Sequence, residues 1–255
     1  MSDDILLHRQ DGPISVLTMN RPGKRNAMCD ELLQAIDAFF SAPPKSTKVV
    51  VMTGVEGHYC SGLDLSEHVK RSAEETLHHS RHWHGIMDKI QFGGLPVVSA
   101  MFGAVIGGGL ELATSTHVRI AEPSTIFQLP EGRRGIYVGG GATARVSKII
   151  GSDRMTEMML TGRKYNSEAG QMLGLAHYAV DEGKALPLAL ELAGKISRNA
   201  PLSNYMMIHT VNHAEDMSKG DALFMESLAA AVSQTTPDAD EGLKAFLEKR
   251  PPVFR

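Results

Sequence analysis

Cysteine is scarce in this chain, and most other markers of a specialised protein class are missing. Two cysteines in 255 residues, Cys29 and Cys60, can build no disulfide framework and match neither a zinc spacing nor a CxxC redox pair. A reducing, cytoplasmic setting is expected. Positive charge is not in excess either: 26 Lys and Arg against 29 Asp and Glu leave −3, so no overall field gathers a phosphate backbone. Nucleic acid is not expected as a partner. The start, MSDDILLHRQ, lacks a basic segment followed by an apolar one, and no signal peptide is read there. One uncharged stretch of twenty residues, Gln91 to Leu110, holds six Gly and Pro96, which suits a strand-loop-helix segment of a core rather than a membrane span. What is there, 42% hydrophobic and 22% charged residues, is ordinary for a globular chain. At roughly 150 residues per domain the length fits one large domain, alone or with a smaller appendage.

Apolar, β-rich runs occur at Ile14 to Met19, Lys48 to Thr53, Pro96 to Met101 and His117 to Ala121, each followed by turn chemistry. Asp30 to Phe39 and Ser66 to Phe92 have helical composition. Strands alternating with helices predict an α/β layered fold. From Ser152 onward β-branched runs disappear and Ala, Leu and Met recur at helical spacing, so the last hundred residues are expected to be mostly helix. Leu243, Phe246 and Leu247 give the tail an apolar stripe that needs a partner surface.

Three segments could carry chemistry. His58-Tyr59-Cys60-Ser61-Gly62-Leu63-Asp64-Leu65 follows a strand and can present backbone N–H groups at Gly62, although a capped strand-to-helix loop is its plainer reading. Gly107-Gly108-Gly109-Leu110-Glu111 joins a strand to a helix; it could let a ligand touch backbone at a helix start, or simply pack helix against sheet. Glu111 and Glu131 are carboxylates in apolar sequence, which are costly to bury unless paired or used, and two of them beside one glycine-rich site suggest acid/base work. Gly139-Gly140-Gly141-Ala142-Thr143-Ala144 satisfies GxGxxA, yet no second parallel strand follows, so a dinucleotide site is disfavoured. His68, His78, His79, His82 and His84 crowd one helix without an HExxH glutamate, which predicts a solvated face and no metal. No GxSxG elbow supports a serine nucleophile.

Taken in order, Met19-Asn20-Arg21-Pro22 with Asn26-Ala27, Tyr59 to Leu65, Gly107 to Glu111 and Leu129-Pro130-Glu131 closely resemble the enoyl-CoA hydratase/isomerase, or crotonase, family. Leu160-Thr161-Gly162-Arg163, Leu173-Gly174-Leu175 and Glu241 to Arg250 extend the likeness over almost the whole chain. The resemblance implies a crotonase-like spiral of ββα repeats over residues 1–195 and a helical C-terminal region, 196–255, that joins subunits into a trimer or a dimer of trimers. It further implies an acyl-CoA substrate, with coenzyme A part of that substrate and no separate cofactor.

By the same resemblance, the N–H groups of Leu63 and Gly108 form an oxyanion hole for the thioester carbonyl. Glu111 holds and deprotonates the water that adds to the β-carbon, while Glu131 exchanges the proton at the α-carbon. Lys24, Arg25, Ala27, Ser61, Gly62, Asp64, Leu65, Trp83 and Tyr137 are the expected substrate and coenzyme A contacts. The run Gly135 to Gly141 departs from the family's usual G-x-x-P-x-x-G-G, and Leu63 stands where hydratases often carry Ala. Both departures, with Met101 to Val105, Trp83 and Tyr137, bear on which acyl group fits, including specialised ones such as methylthioacryloyl-CoA. An isomerase or thioester hydrolase using the same hole, and a non-catalytic relative that binds coenzyme A or RNA, are the alternatives.

Overall fold

The computed structural model describes residues 4–67 and 69–254, so His68 of the histidine cluster lies outside the described residues. Six strands form the main sheet: β1 (Leu6–Asp11), β2 (Ile14–Met19), β3 (Val49–Gly54), β4 (Val97–Met101), β6 (Val118–Ala121) and β8 (Tyr178–Ala179), side by side in that order. The β1–β2 hairpin is antiparallel and the other pairs are parallel. Two short strands, β5 (Ala104–Ile106) and β7 (Ile126–Gln128), make a separate parallel pair.

Helices cover both faces of the main sheet, which is why its central strands are apolar on both sides. Leu17, Met19, Val50, Met52, Val97 and Met101 face one core, shared with the buried sides of α1 (Asp30–Ser41) and α2 (Ala73–Phe92). The alternate positions Ile14, Val16, Val49, Val51, Val98 and Ala100 face a second core. There α7 (Ala185–Ile196) brings Ala189 and Ala193, one turn apart, against the strands. Small side chains let that helix lie close.

Local signals fix where the helices start. The Cys29 thiol accepts from Leu32 N–H at 3.5 Å to cap α1. Ser72 and Glu75 form a reciprocal capping box at α2, with Glu75 N–H to Ser72 Oγ at 3.2 Å and Ser72 N–H to Glu75 Oε2 at 2.7 Å. That box sets α2 to begin at Ala73 rather than at Ser66, the start expected from composition; Leu65–Glu67 form a separate 3₁₀ turn. A short buried helix, α3 (Gly108–Thr114), follows β5 directly. Behind β7 come the 3₁₀ turn Glu131–Arg134, α4 (Ala142–Ile150), α5 (Ser152–Thr161) and α6 (Ser167–Met172).

After α7 the chain forms α8 (Pro201–Ala214), α9 (Lys219–Gln234) and α10 (Pro237–Leu247). These leave a large apolar surface open: none of the side chains of α9 is buried, and Leu243, Phe246 and Leu247 of α10 are 68%, 81% and 79% exposed. Among the described residues no helix is long and apolar enough to cross a membrane.

Candidate active site

Two loops meet where β5 turns into α3. The segment after β3 runs alongside β5, with Cys60 N–H donating to Ala104 O at 2.9 Å and Ile106 N–H to Cys60 O at 3.1 Å. On its other side, Met28 N–H donates to Gly62 O at 2.7 Å and Asp64 N–H to Met28 O at 2.9 Å. In that parallel bridge the N–H of Leu63 turns away from Met28. The N–H of Gly108, in the first turn of α3, has no carbonyl inside its own helix to bond. Gly62 packs so closely on this second loop that a Cβ there would stand 2.6 Å from Ile106 O and 3.1 Å from Gly108 N. Leu63 and Gly108 both border a single cavity of about 210 Å³.

The three glycines serve three different ends. Gly107 has φ +54°, and a Cβ there would sit 2.6 Å from Glu131 Oε1. Gly109 presses on the other loop: a Cβ would stand 2.1 Å from Cys60 O. At Gly108 a Cβ would meet Met28 Cε at 2.8 Å and Trp83 Cζ3 at 3.0 Å. So the close-packing reading fits Gly109, and the backbone donor with no carbonyl in its own helix belongs to Gly108, on the cavity wall.

Glu111 follows one turn later, its N–H donating to Gly107 O at 3.0 Å. Its Oε1 accepts from Gly140 N–H at 2.7 Å and Ala142 N–H at 3.0 Å. The glycine run 139–141 thus wraps a carboxylate at the head of α4, where a dinucleotide fingerprint would wrap a phosphate. Burial raises the Glu111 pKa, against the lowering pull of those N–H groups and of Arg145. Arg145 is itself held by Asp88 at 2.6 Å, Gln91 at 2.6 Å and Gly140 O at 3.2 Å.

Glu131 opens the 3₁₀ turn beyond β7, on the same cavity wall. Its Oε2 is buried with no protein hydrogen-bond partner among the described residues. Burial, with the neighbouring Glu111 charge adding to it, pushes its pKa up to about 7. One cavity therefore holds two carboxyl groups in unlike surroundings, one gripped by backbone donors and one without a partner.

Of the other expected contacts, Ser61, Gly62, Leu65, Trp83 and Tyr137 line this cavity. Lys24, Arg25, Ala27 and Asp64 do not. Asp64 is buried; hydrogen bonds from Ser66 Oγ at 2.6 Å and Ser66 N–H at 3.0 Å, then the pairing with Arg21 at 2.9 Å, outweigh burial and hold its carboxyl down at about 2. It fixes the turn. Lys24 Nζ donates to Ser66 Oγ at 2.7 Å, and Ala27 O accepts from Arg21 at 2.6 Å. Arg25 is exposed, and its carbonyl accepts from Ser61 N–H at 3.1 Å. Met101 and Val105 are core residues and are not among those that line the cavity.

Sequence reasoning passed over Arg71, Thr76, His79, Ser80 and Arg134, all on the cavity wall. Thr76, His79, Ser80 and Trp83 form a stripe at helical spacing on α2, a signal that was present but hidden in the histidine crowding. Of those histidines, His79 pairs with Asp30 at 3.1 Å and His78 lies on the exposed side near Glu74. Burial raises the Cys60 thiol to about 12, which leaves it unsuited as a nucleophile.

A family model described as enoyl-CoA hydratase/isomerase matches residues 9–255. The chain is 30% identical to an enoyl-CoA hydratase of Mycobacterium tuberculosis, over 99% of this chain and 96% of that protein. It is also 30% identical to the 2,3-dehydroadipyl-CoA hydratase of Escherichia coli, over 99% and 98%. Among solved structures, a Rhodopseudomonas palustris CGA009 chain is 42% identical with a TM-score of 0.94, over 96% of this chain and 95% of that one. The enoyl-CoA hydratase of Bacillus anthracis is 27% identical with a TM-score of 0.92, over 98% and 99%. With its ordered motifs and its ββα core matched along nearly their full length, the chain belongs to the enoyl-CoA hydratase/isomerase family.

Proposed function

We propose that this protein is an enoyl-CoA hydratase. The observation that carries the reading is the pair of buried carboxyl groups, Glu111 and Glu131, on the wall that also bears Leu63 and Gly108. In the proposed reaction the thioester oxygen accepts from the N–H groups of Leu63 and Gly108, which stabilise it as negative charge develops. In its carboxylate form Glu111, oriented by Gly140 and Ala142, takes a proton from the water that attacks the β-carbon. Glu131, kept protonated by burial, delivers a proton to the α-carbon. Hydroxyl and hydrogen arrive on one face; the step leaves Glu111 protonated and Glu131 ionised, and a proton passes back from Glu111 to Glu131 before the next turnover.

Incubation with crotonyl-CoA should remove the conjugated thioester absorbance without releasing free thiol. Thiol release would mean a hydrolase, and a shifted double bond without added water an isomerase. A panel of enoyl-CoA thioesters, methylthioacryloyl-CoA included, then names the preferred acyl group.

Assembly as a trimer or a dimer of trimers belongs to the same proposal, as does residence in the cytoplasm, which the two free, buried cysteines suit. Leu223, Phe224, Leu228 and Val232 on α9, with Leu243, Phe246 and Leu247 on α10, offer the apolar area such an assembly needs. Light scattering at micromolar concentration should give a multiple of 27.6 kDa, three or six subunits. A monomer mass would remove the proposal.

A further inference from the structure

Trp83 and Glu111 stand side by side on the wall of the cavity. Trp83 is only 5% exposed yet borders the cavity. Its six-membered edge rests on both catalytic loops: a Cβ at Gly108 would lie 3.0 Å from Cζ3, and one at Gly140 3.0 Å from Cε3. That same Cβ at Gly140 would lie 2.7 Å from Glu111 Oε2. The indole and the carboxylate are thus both within reach of one glycine. One turn before Trp83, Ser80 Oγ donates to Gly139 O at 2.6 Å and ties α2 to the loop 135–141. The cavity, at about 210 Å³, is smaller than the roughly 300–1,000 Å³ of ordinary small-molecule pockets.

We infer that Trp83, with α2 pinned through Ser80 to Gly139, ends the acyl compartment and confines the enzyme to short enoyl groups of about four carbons or fewer. The inference rests on the hydratase reading for its reaction, but not for its geometry. Leu and Ile at such a place would leave room to rotate aside; a buried indole wedged on two glycine loops does not. Selection then comes from refusing longer chains, the stronger of the two routes to specificity when only methylenes differ.

The test compares crotonyl-, hexenoyl- and octenoyl-CoA in the wild type, Trp83→Ala and Trp83→Phe, with thermal melts to show that each variant is folded. In the wild type, kcat/KM should fall at least about 100-fold from crotonyl to octenoyl. Trp83→Ala should raise the octenoyl-to-crotonyl ratio by about 10-fold or more, and Trp83→Phe, which keeps a smaller ring, by less. Dissociation constants for butyryl- and octanoyl-CoA, which cannot react, should follow the same order. If the wild type hydrates nothing, the reaction proposed above fails and these binding ratios still decide the compartment. Comparable octenoyl turnover or octanoyl binding in the wild type, or unchanged ratios in a folded variant, would overturn the role of Trp83.

Discussion

Replacing Glu131 with Gln should lower kcat for hydration by about 10³ and, at pH 8, make the protein more stable. The first effect follows from removing the proton donor to the α-carbon while keeping its shape. The second follows from linkage. Glu131 is held in its protonated form until about pH 7 in the folded chain, against 4.5 for the ordinary side chain. The folded state therefore keeps a proton that the unfolded state has lost, and stability falls as pH rises from about 4.5 to about 7 and stays lower above that. An amide carries no such cost, and the gain at pH 8 is about 2–3 kcal/mol, vanishing near pH 4.5. Melting curves at the two pH values check this, and near-wild-type turnover would take Glu131 out of the proton path.

The same titration governs activity. The proposed reaction needs Glu131 protonated, so kcat/KM should decline as pH rises past about 7. Glu111→Gln should cost a comparable factor in kcat. Because the two residues serve one water, the double variant should lose much less than the product of the single losses. Strict multiplication would mean that they act separately.

Gly109→Ala should be the most damaging single methyl in the site. Its Cβ would stand 2.1 Å from Cys60 O and 2.8 Å from Cys60 C, both backbone atoms of a strand-like segment that hydrogen-bonds to β5. Neither side can yield cheaply, so α3 and the Cys60–Leu63 loop must separate. We expect a loss of about 3 kcal/mol or more, a melting temperature lower by about 6–12 °C, and a fall in rate of about 10² in what remains folded, because the Leu63 and Gly108 donors no longer converge. Gly108→Ala should be milder. Its methyl meets the tip of Met28 and the edge of Trp83, whereas a sequence-based expectation places it against the ligand. Melting and crotonyl-CoA assays on both variants decide; a Gly108→Ala protein as damaged as Gly109→Ala would refute this ranking.

The strands that were legible in sequence are those buried on both faces. Ile14–Met19 agrees residue for residue, β4 and β6 start one residue later than expected, and β3 is shifted by one residue at each end, because a continuous apolar run survives any sheet register. β1 went unread: its residues His8 to Asp11 are exposed and polar at the sheet edge. β5, β7 and β8, at three, three and two residues, are too short to display any period. In the site, Glu111 and Glu131 stood out because a carboxylate in apolar sequence is unusual. Their surroundings did not, since the donors that grip Glu111 are main-chain N–H groups, which every residue but proline owns. Asp64 shows the converse. Its place in a family motif suggests ligand contact, while Arg21 and Ser66 occupy its oxygens.

Gly140 and Ala142 both donate to Glu111, so the carboxylate that the proposed reaction uses as its base also takes up an amide of the first turn of α4. In the proposed reaction, protonating Glu111 withdraws negative charge from that helix end, and losing the proton restores it. Protection of the Gly140 and Ala142 amides against solvent exchange should therefore fall when Glu111 is protonated.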